Sequence, residues 1–255
     1  MSGHSKFSNI RAKKEKNDAA KGKIFTMIGH EIALAVKAGG PDPANNSKLA
    51  AVIAKAKANN MPNDNIKRTL DKYSGANGQV DYEANNYEGY GVGGVAVVVE
   101  TLTDNKNRAA AEVGNVFKKN GIELAKPGSA SRLFDKLGQI MVPAADGLDE
   151  DKVMEVALEA GAEDVVAEDG GFTVKCQPAD FVAVTDAIKA AGIAIDEENS
   201  NVGLVPNMTA PVSDVAVAKA INKFVDMLED LEDTQDVYTN METTDEVDAA
   251  LEAEG

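Results

Sequence analysis

Apolar residues recur every three or four positions through Ile24, Phe25, Ile28, Ile32 and Ala35. That spacing predicts an amphipathic helix, stopped by Gly39-Gly40-Pro41. A second helix is expected from a Ser47 cap through Leu49, Val52, Ile53 and Ala56, broken at Asn59-Asn60-Met61-Pro62. A third, short one follows with Asn63 or Asp64 as cap and Ile66, Leu70 and Tyr73 facing inward. Ser74-Gly75-Ala76-Asn77-Gly78 reads as a linker. Three short helices with tight connections make a small bundle.

The periodicity then changes. Val95-Ala96-Val97-Val98-Val99 is a β-branched run and predicts a buried strand. Thr103 or Asp104 is read as the cap of a helix through Ala109, Val113, Val116 and Phe117, ended by Asn120-Gly121. Two strands, Ser131 to Phe134 and Gln139 to Val142, are expected around a Lys136-Leu137-Gly138 turn. A helix through Val153, Val156, Ala157 and Ala160 leads to a hairpin, Val165 to Ala167 and Phe172 to Cys176, around Asp169-Gly170-Gly171. Pro178 opens a further helix through Phe181, Val184 and Ile188, and Gly203-Leu204-Val205 fits a strand. A long helix carries Val215, Ala218, Ile221, Phe224, Val225 and Leu228, followed by a strand at Val237-Tyr238. Residues 243–255 are acidic, lack a periodic core and are expected to fray.

The fold class expected from this order is α+β: an N-terminal three-helix domain followed by two α/β sandwich domains, the third inserted in the second. The boundaries are read as 1–78 for the basic helical domain, 79–147 plus 206–242 for the discontinuous second, 148–205 for the insertion and 243–255 for the tail.

Charge alters this picture sharply. The 255 residues carry a net charge of −16, yet residues 1–74 hold 14 basic and 6 acidic groups, a net of +8. Residues 75–255 carry −24. Seven Lys or Arg and only two acids lie between Lys6 and Lys23. Such asymmetry points to an anionic partner for the basic end, with the acidic remainder confining contact to one face. A solvated charged helix is the bland alternative. Phosphate backbones need positive charge along a track. Lys6, Arg11, Lys13, Lys14, Lys16, Lys21 and Lys23 supply it, and Lys48, Lys55, Lys57, Lys67 and Arg68 add to it on the later helices. Phe7 suits base stacking or a staple into the bundle.

Nothing resembles an enzyme constellation. The glycines of Tyr87-Glu88-Gly89-Tyr90-Gly91-Val92-Gly93-Gly94 precede a strand, whereas a nucleotide loop needs them after one. His30-Glu31 is followed by Leu34, not by a second His, so no metal pair forms. No catalytic residue, metal or cofactor is expected. A single Cys176 excludes an intramolecular disulfide and suits a reducing compartment. No apolar run of about 18 residues exists, so no membrane span is expected. Asp104-Asn105-Lys106-Asn107-Arg108 is read as a helix N-terminus, serving either as simple capping or as an anion site with Lys106 and Arg108.

Several blocks now resemble one family in the right order. They are Gly3-His4-Ser5-Lys6-Phe7-Ser8-Asn9-Ile10, Lys21-Gly22-Lys23-Ile24-Phe25-Thr26, Ala58-Asn59-Asn60-Met61-Pro62, Asp64-Asn65-Ile66, Tyr87-Glu88-Gly89-Tyr90-Gly91, Leu102-Thr103-Asp104-Asn105-Lys106-Asn107-Arg108, Lys119-Asn120-Gly121 and Pro127-Gly128-Ser129. They resemble the YebC/PmpR family over residues 2 to about 240. This chain has Phe7, Val92 and Arg132 where the family often has Trp, Pro and an aromatic. The resemblance implies a cytoplasmic, non-enzymatic, DNA-binding transcriptional regulator. It equally implies a relation to mitochondrial translational activators and to bacterial relatives tied to the ribosome. The expected partner is therefore DNA or ribosomal RNA, with the ribosome as a candidate, and the expected oligomeric state is a monomer.

Overall fold

The computed structural model describes residues 17–74, 81–145, 147–168 and 170–253, with only the backbone described at 17–21 and 252. The arm before Asn17 and most of the expected linker lie outside the described residues.

Helices α1 (Asn17–Gly39), α2 (Ser47–Ala58) and α3 (Asn63–Ser74) form the bundle. Their shared core is Ile28, Ile32, Leu49, Ala56, Met61 and Ile66, the apolar stripe that the periodicity picks out. The cap of α2 is Asn46 rather than Ser47. Its Oδ1 accepts from the Leu49 amide at 3.1 Å, and its Nδ2 donates to Ala35 O and Gly40 O, both at 2.8 Å. The amide caps α2 through its oxygen while its two N–H groups bond two carbonyls at the end of α1, whereas a serine hydroxyl has only one hydrogen to donate. Gly39 makes room for it, since a Cβ there would lie 2.8 Å from Asn46 Cγ.

A three-stranded antiparallel sheet runs in the order β1 (Glu83–Tyr90), β2 (Ala96–Thr103), β8 (Thr234–Thr239). The valine run forms β2, the central strand, buried along nearly its whole length. Val97 and Val99 pack against Val113, Val116 and Phe117 of α4 (Lys106–Lys119) and against Phe224 and Leu228 of α7 (Val215–Glu229). Helix α1 also approaches β2. Cover from several helices explains why the strand reads as a continuous apolar run rather than an alternating one. Strand β1 has no such signature. Apart from Tyr87 and Tyr90 its residues EANNYEGY are poor strand formers, and pairing with β2 from Glu83↔Thr103 to Tyr90↔Ala96 imposes the conformation.

A four-stranded antiparallel sheet has the order β4 (Ala162–Glu168), β5 (Gly171–Cys176), β3 (Phe134–Pro143), β6 (Asp196–Pro206). Helices α5 (Glu150–Glu159) and α6 (Phe181–Ala190) cover it through Val153, Ala157, Val184 and Ile188. Here the expected pair of strands around Lys136-Leu137-Gly138 is corrected to one strand, β3. Gly138 is no turn residue. It sits mid-strand opposite Cys176 and Val202. A Cβ there would meet Cys176 Sγ at 2.7 Å and Phe181 Cδ2 at 2.9 Å, so the glycine serves close packing.

Strands β7 (Ala210–Val212) and β9 (Met241–Thr243) form a short parallel pair, followed by α8 (Asp245–Glu252). The expectation that the tail frays is therefore corrected. Val247 is 1 % exposed. Asp245, Glu246 and Asp248 stand in the first turn, where the helix dipole favours acids.

The fold is thus α+β with an N-terminal helical bundle. Two compact units emerge. One holds Asn17–Ser131 with Ala216–Thr239, and the other holds residues 132–215 with 240–253.

Two glycines test the packing beside β1. An added Cβ at Gly89 would meet Phe117 Cε1 at 2.6 Å and Glu123 O at 3.0 Å, whereas one at Gly114 in α4 meets only Leu124 Cδ1 at 3.8 Å. Gly89→Ala should cost about 1–3 kcal/mol by overpacking. Gly114→Ala should stabilise by about 0.5–1 kcal/mol through helix propensity. Urea titrations of the two variants read the opposite signs.

Candidate nucleic-acid interface

The bundle displays its basic side chains unevenly. Lys6, Phe7, Arg11, Lys13, Lys14 and Lys16 lie outside the described residues, and of Lys21 only the helical backbone is described. Lys48, Lys57 and Lys67 are exposed on α2 and α3 and form no ion pair among the described residues. Lys55 is exposed too but pairs with Glu31 at 2.7 Å. Arg68 folds along its own helix, donating to Asn65 Oδ1 at 2.6 Å and Asp64 O at 3.3 Å.

Lys23 is placed differently. Its ammonium is buried without a hydrogen-bond partner among the described residues. Burial pushes its pKa down, against the pull of Asp230 and Glu229 at the end of α7. Two turns further along α1, His30 stacks on Tyr82 with ring centroids 4.6 Å apart. Burial likewise lowers the His30 pKa, opposed chiefly by Asp233, Glu232 and Asp104. This face of α1 therefore looks toward the turn between α7 and β8.

The Asp104–Arg108 segment forms the start of α4, and Asn105 rather than Thr103 or Asp104 is its cap. Asn105 Oδ1 accepts from the Arg108 amide at 3.1 Å. Lys106 is exposed and pairs with Glu83 of β1 at 2.8 Å. Arg108 makes a two-pronged bond to Asp233, Nη2 to Oδ1 at 2.7 Å and Nε to Oδ2 at 3.0 Å. Its Nη2 also reaches Asp104 Oδ1 at 2.8 Å. The Asp233 side chain is 3 % exposed. In this arrangement the Arg108 charge holds two acids of its own chain.

Glu88 supplies a third constellation, which composition and periodicity do not flag. It is 4 % exposed. Its carboxylate accepts from the amides of Gly128, Ala130 at 2.6 Å and Ser131 at 2.7 Å. Burial raises the Glu88 pKa, but these amides together with the Ser131 hydroxyl outweigh it and hold the group below its ordinary value. Beside it, the Tyr90 hydroxyl donates to Ser129 O at 2.6 Å. The Tyr87–Gly91 and Pro127–Ser129 blocks are therefore one site. The glycines between are structural: Gly91 would meet Ile221 Cδ1 at 2.6 Å with a Cβ, and Gly93 and Gly94 adopt φ of +72° and +77°. No cluster of three His, Cys, Asp or Glu that would hold a metal occurs among the described residues. Within the same limits, no helix is long and apolar enough to cross a membrane.

Residues 5–76 match the profile described as TACO1/YebC protein N-terminal domain, and residues 82–241 match TACO1/YebC second and third domain. A relative from Agathobacter rectalis, named "Probable transcriptional regulatory protein", is 51% identical over 95% of this chain and 100% of its own length. One of the same name from Acetivibrio thermocellus is 50% identical over 94% and 98%. The crystal structure of a conserved hypothetical protein from Aquifex aeolicus superposes with a TM-score of 0.78 at 37% identity, covering 89% of this chain and 93% of that one. The chain belongs to the TACO1/YebC family.

Two variants test the polar anchors. Arg108→Ala strands a buried carboxylate and should cost about 3 kcal/mol, the lower end for a broken buried pair because water reaches Arg108. Adding Asp233→Asn should recover part of that loss in a melting experiment. Glu88→Gln swaps an acceptor for a donor facing amides and should cost about 1–3 kcal/mol at neutral pH. A carboxylate with a depressed folded pKa stabilises fully above its unfolded pKa of about 4.3. That contribution fades as pH falls through the folded value. The gap between parent and Glu88→Gln should therefore close in acid, as denaturant midpoints across pH would reveal.

Proposed function

We propose that this protein is a non-enzymatic, cytoplasmic regulator of gene expression that grips the phosphodiester backbone through its N-terminal helical domain. The observation that carries this reading is the charge partition: +8 over residues 1–74 against −24 beyond them. Exposed Lys48, Lys57 and Lys67, uncommitted among the described residues, add positive charge on α2 and α3. The relatives' shared name, "Probable transcriptional regulatory protein", favours DNA as the partner.

Six of the seven basic residues between Lys6 and Lys23 are lysines. Lysine meets phosphate as a point charge and lacks the planar fork that reads guanine. Base-edge contacts, not charge, give discrimination. The arm thus supports binding of low intrinsic sequence specificity. This is the specific reason to keep a second reading, a translation factor whose arm contacts ribosomal RNA. Lys23, half-buried near Asp230, is less available to phosphate than the exposed lysines of α2 and α3.

The test is a salt titration of the full chain on DNA and on RNA. Affinity should fall steeply with salt, and Lys13→Glu, Lys14→Glu and Lys16→Glu together should remove most binding and lower the slope by about three. A flat salt response would sink the reading. Competition between a promoter and random DNA, beside ribosome pelleting, separates the partners. A preference of about a thousandfold without ribosome association means a transcriptional regulator. Weak, even DNA binding with cosedimentation means a translation factor.

A further inference from the structure

Two basic side chains meet carboxylates in the unit of the bundle and the first sheet, and they are satisfied very differently. Arg108 holds Asp233 through two directed bonds, at 2.7 and 3.0 Å. Lys23 on α1 has no such bond. Its ammonium is buried without a hydrogen-bond partner among the described residues, and the charges of Asp230 and Glu229 draw it. Helix α7 closes at Glu229, so the negative end of its dipole adds to their pull. These two acids open the run Glu229-Asp230-Leu231-Glu232-Asp233, and no Lys or Arg follows Lys223 in the chain. The run is firmly seated. Asp233 is clamped by Arg108, its carbonyl accepts the Leu102 amide at 2.9 Å, and the amides of Asp230 and Leu231 donate back to Asp226 O and Leu228 O at 2.9 and 3.2 Å. Further along the same face of α1, His30 stacks on Tyr82, whose hydroxyl lies 3.4 Å from that of Tyr73. Lys23 thus meets a fixed acidic corner through charge and not through a directed bond.

We infer that the Glu229–Asp230 corner is an internal counter-ligand for Lys23, which withholds this lysine from phosphate until a bound phosphodiester backbone displaces it. A buried ammonium with none of its hydrogens bonded is costly. Attraction to the corner offsets part of that cost but is weaker than a charge-assisted hydrogen bond. A phosphate oxygen supplies the missing bond together with the negative charge, so exchange of partners favours nucleic acid. The Arg108–Asp233 pair, bonded at both prongs, gains little from such an exchange and keeps the corner in place. The contact therefore lowers affinity at rest, and whatever weakens it strengthens binding by linkage. The inference rests on the proposal that the helical domain grips phosphodiester backbones and adds an autoinhibitory contact to it.

The experiment uses the full chain with a labelled random-sequence DNA duplex and a labelled RNA hairpin. Glu229→Gln with Asp230→Asn should tighten binding of the probes about fivefold, the lower end of couplings between sites. The salt slope should steepen by about one as Lys23 joins the phosphate contacts. Glu155→Gln with Glu159→Gln removes two exposed acids from α5 in the other compact unit and changes the net charge equally. That control should move affinity by about twofold or less, since salt screens distant charges. Lys23→Gln should be nearly silent in the parent and should cancel the gain in the Glu229, Asp230 variant. Such non-additivity assigns the gain to this lysine. Should the double variant fail to fold, Asp230→Asn alone, at an exposed position, carries the same test with a smaller gain. If the parent binds neither probe, the phosphate-binding reading falls and the counter-ligand with it. If the parent binds but the variant gains no more than the α5 control, or keeps its gain when Lys23→Gln is added, the counter-ligand alone is overturned.

Discussion

The Arg108–Asp233 pair joins residues 125 positions apart and is what closes the first sheet. Asp233 immediately precedes β8, and its carbonyl also accepts the Leu102 amide at 2.9 Å. One residue therefore fixes where the returning chain meets β2. The planar guanidinium gives direction as well as attraction, since two parallel bonds admit one orientation. Closing so long a loop costs only slightly more than closing a short one, because the entropy grows logarithmically. A modest number of well-placed bonds therefore suffices to bring β8 home.

A second theme is the separation of acids from bases. Acids do structural work in the large acidic segment. Asp233 orders α4, Glu88 orders a loop, and Asp245, Glu246 and Asp248 begin α8. The bases of the bundle are mostly left in water or in loose pairs such as Lys55 with Glu31. Exposed pairs of that kind contribute little to stability. Their charge is therefore free to act on a partner at small cost to the fold, whereas the buried acids are not.

Legibility followed the source of each signal. The stripe from Ile24 to Ala35 and the run at Val95–Val99 were readable because burial repeats with the backbone period. Strand β1 was not, because its conformation comes from its neighbour and not from EANNYEGY. Gly138 looked like a turn because glycine has two uses, and only the nearby Phe181 ring distinguishes them. Among the described residues of α8 Val247 is the one that is fully buried, too little for a periodic pattern. At the interface, the lysine density was plain in sequence. The roles of Glu88 and Asp233 were hidden, since one acid in an acid-rich chain looks like another until its partners are known.

The placement of β8 has a consequence for synthesis. While the polypeptide is being made, β2 has its β1 neighbour at once but must wait for Thr234–Thr239 on its other side. At roughly 5–20 residues per second, that delay is on the order of ten seconds. Throughout it, a valine-rich strand edge stands unpaired, the form of backbone most prone to capture a stranger. The nascent chain is thus at its most vulnerable while β3 to β6 are completed, and a chaperone would be of greatest use in that interval.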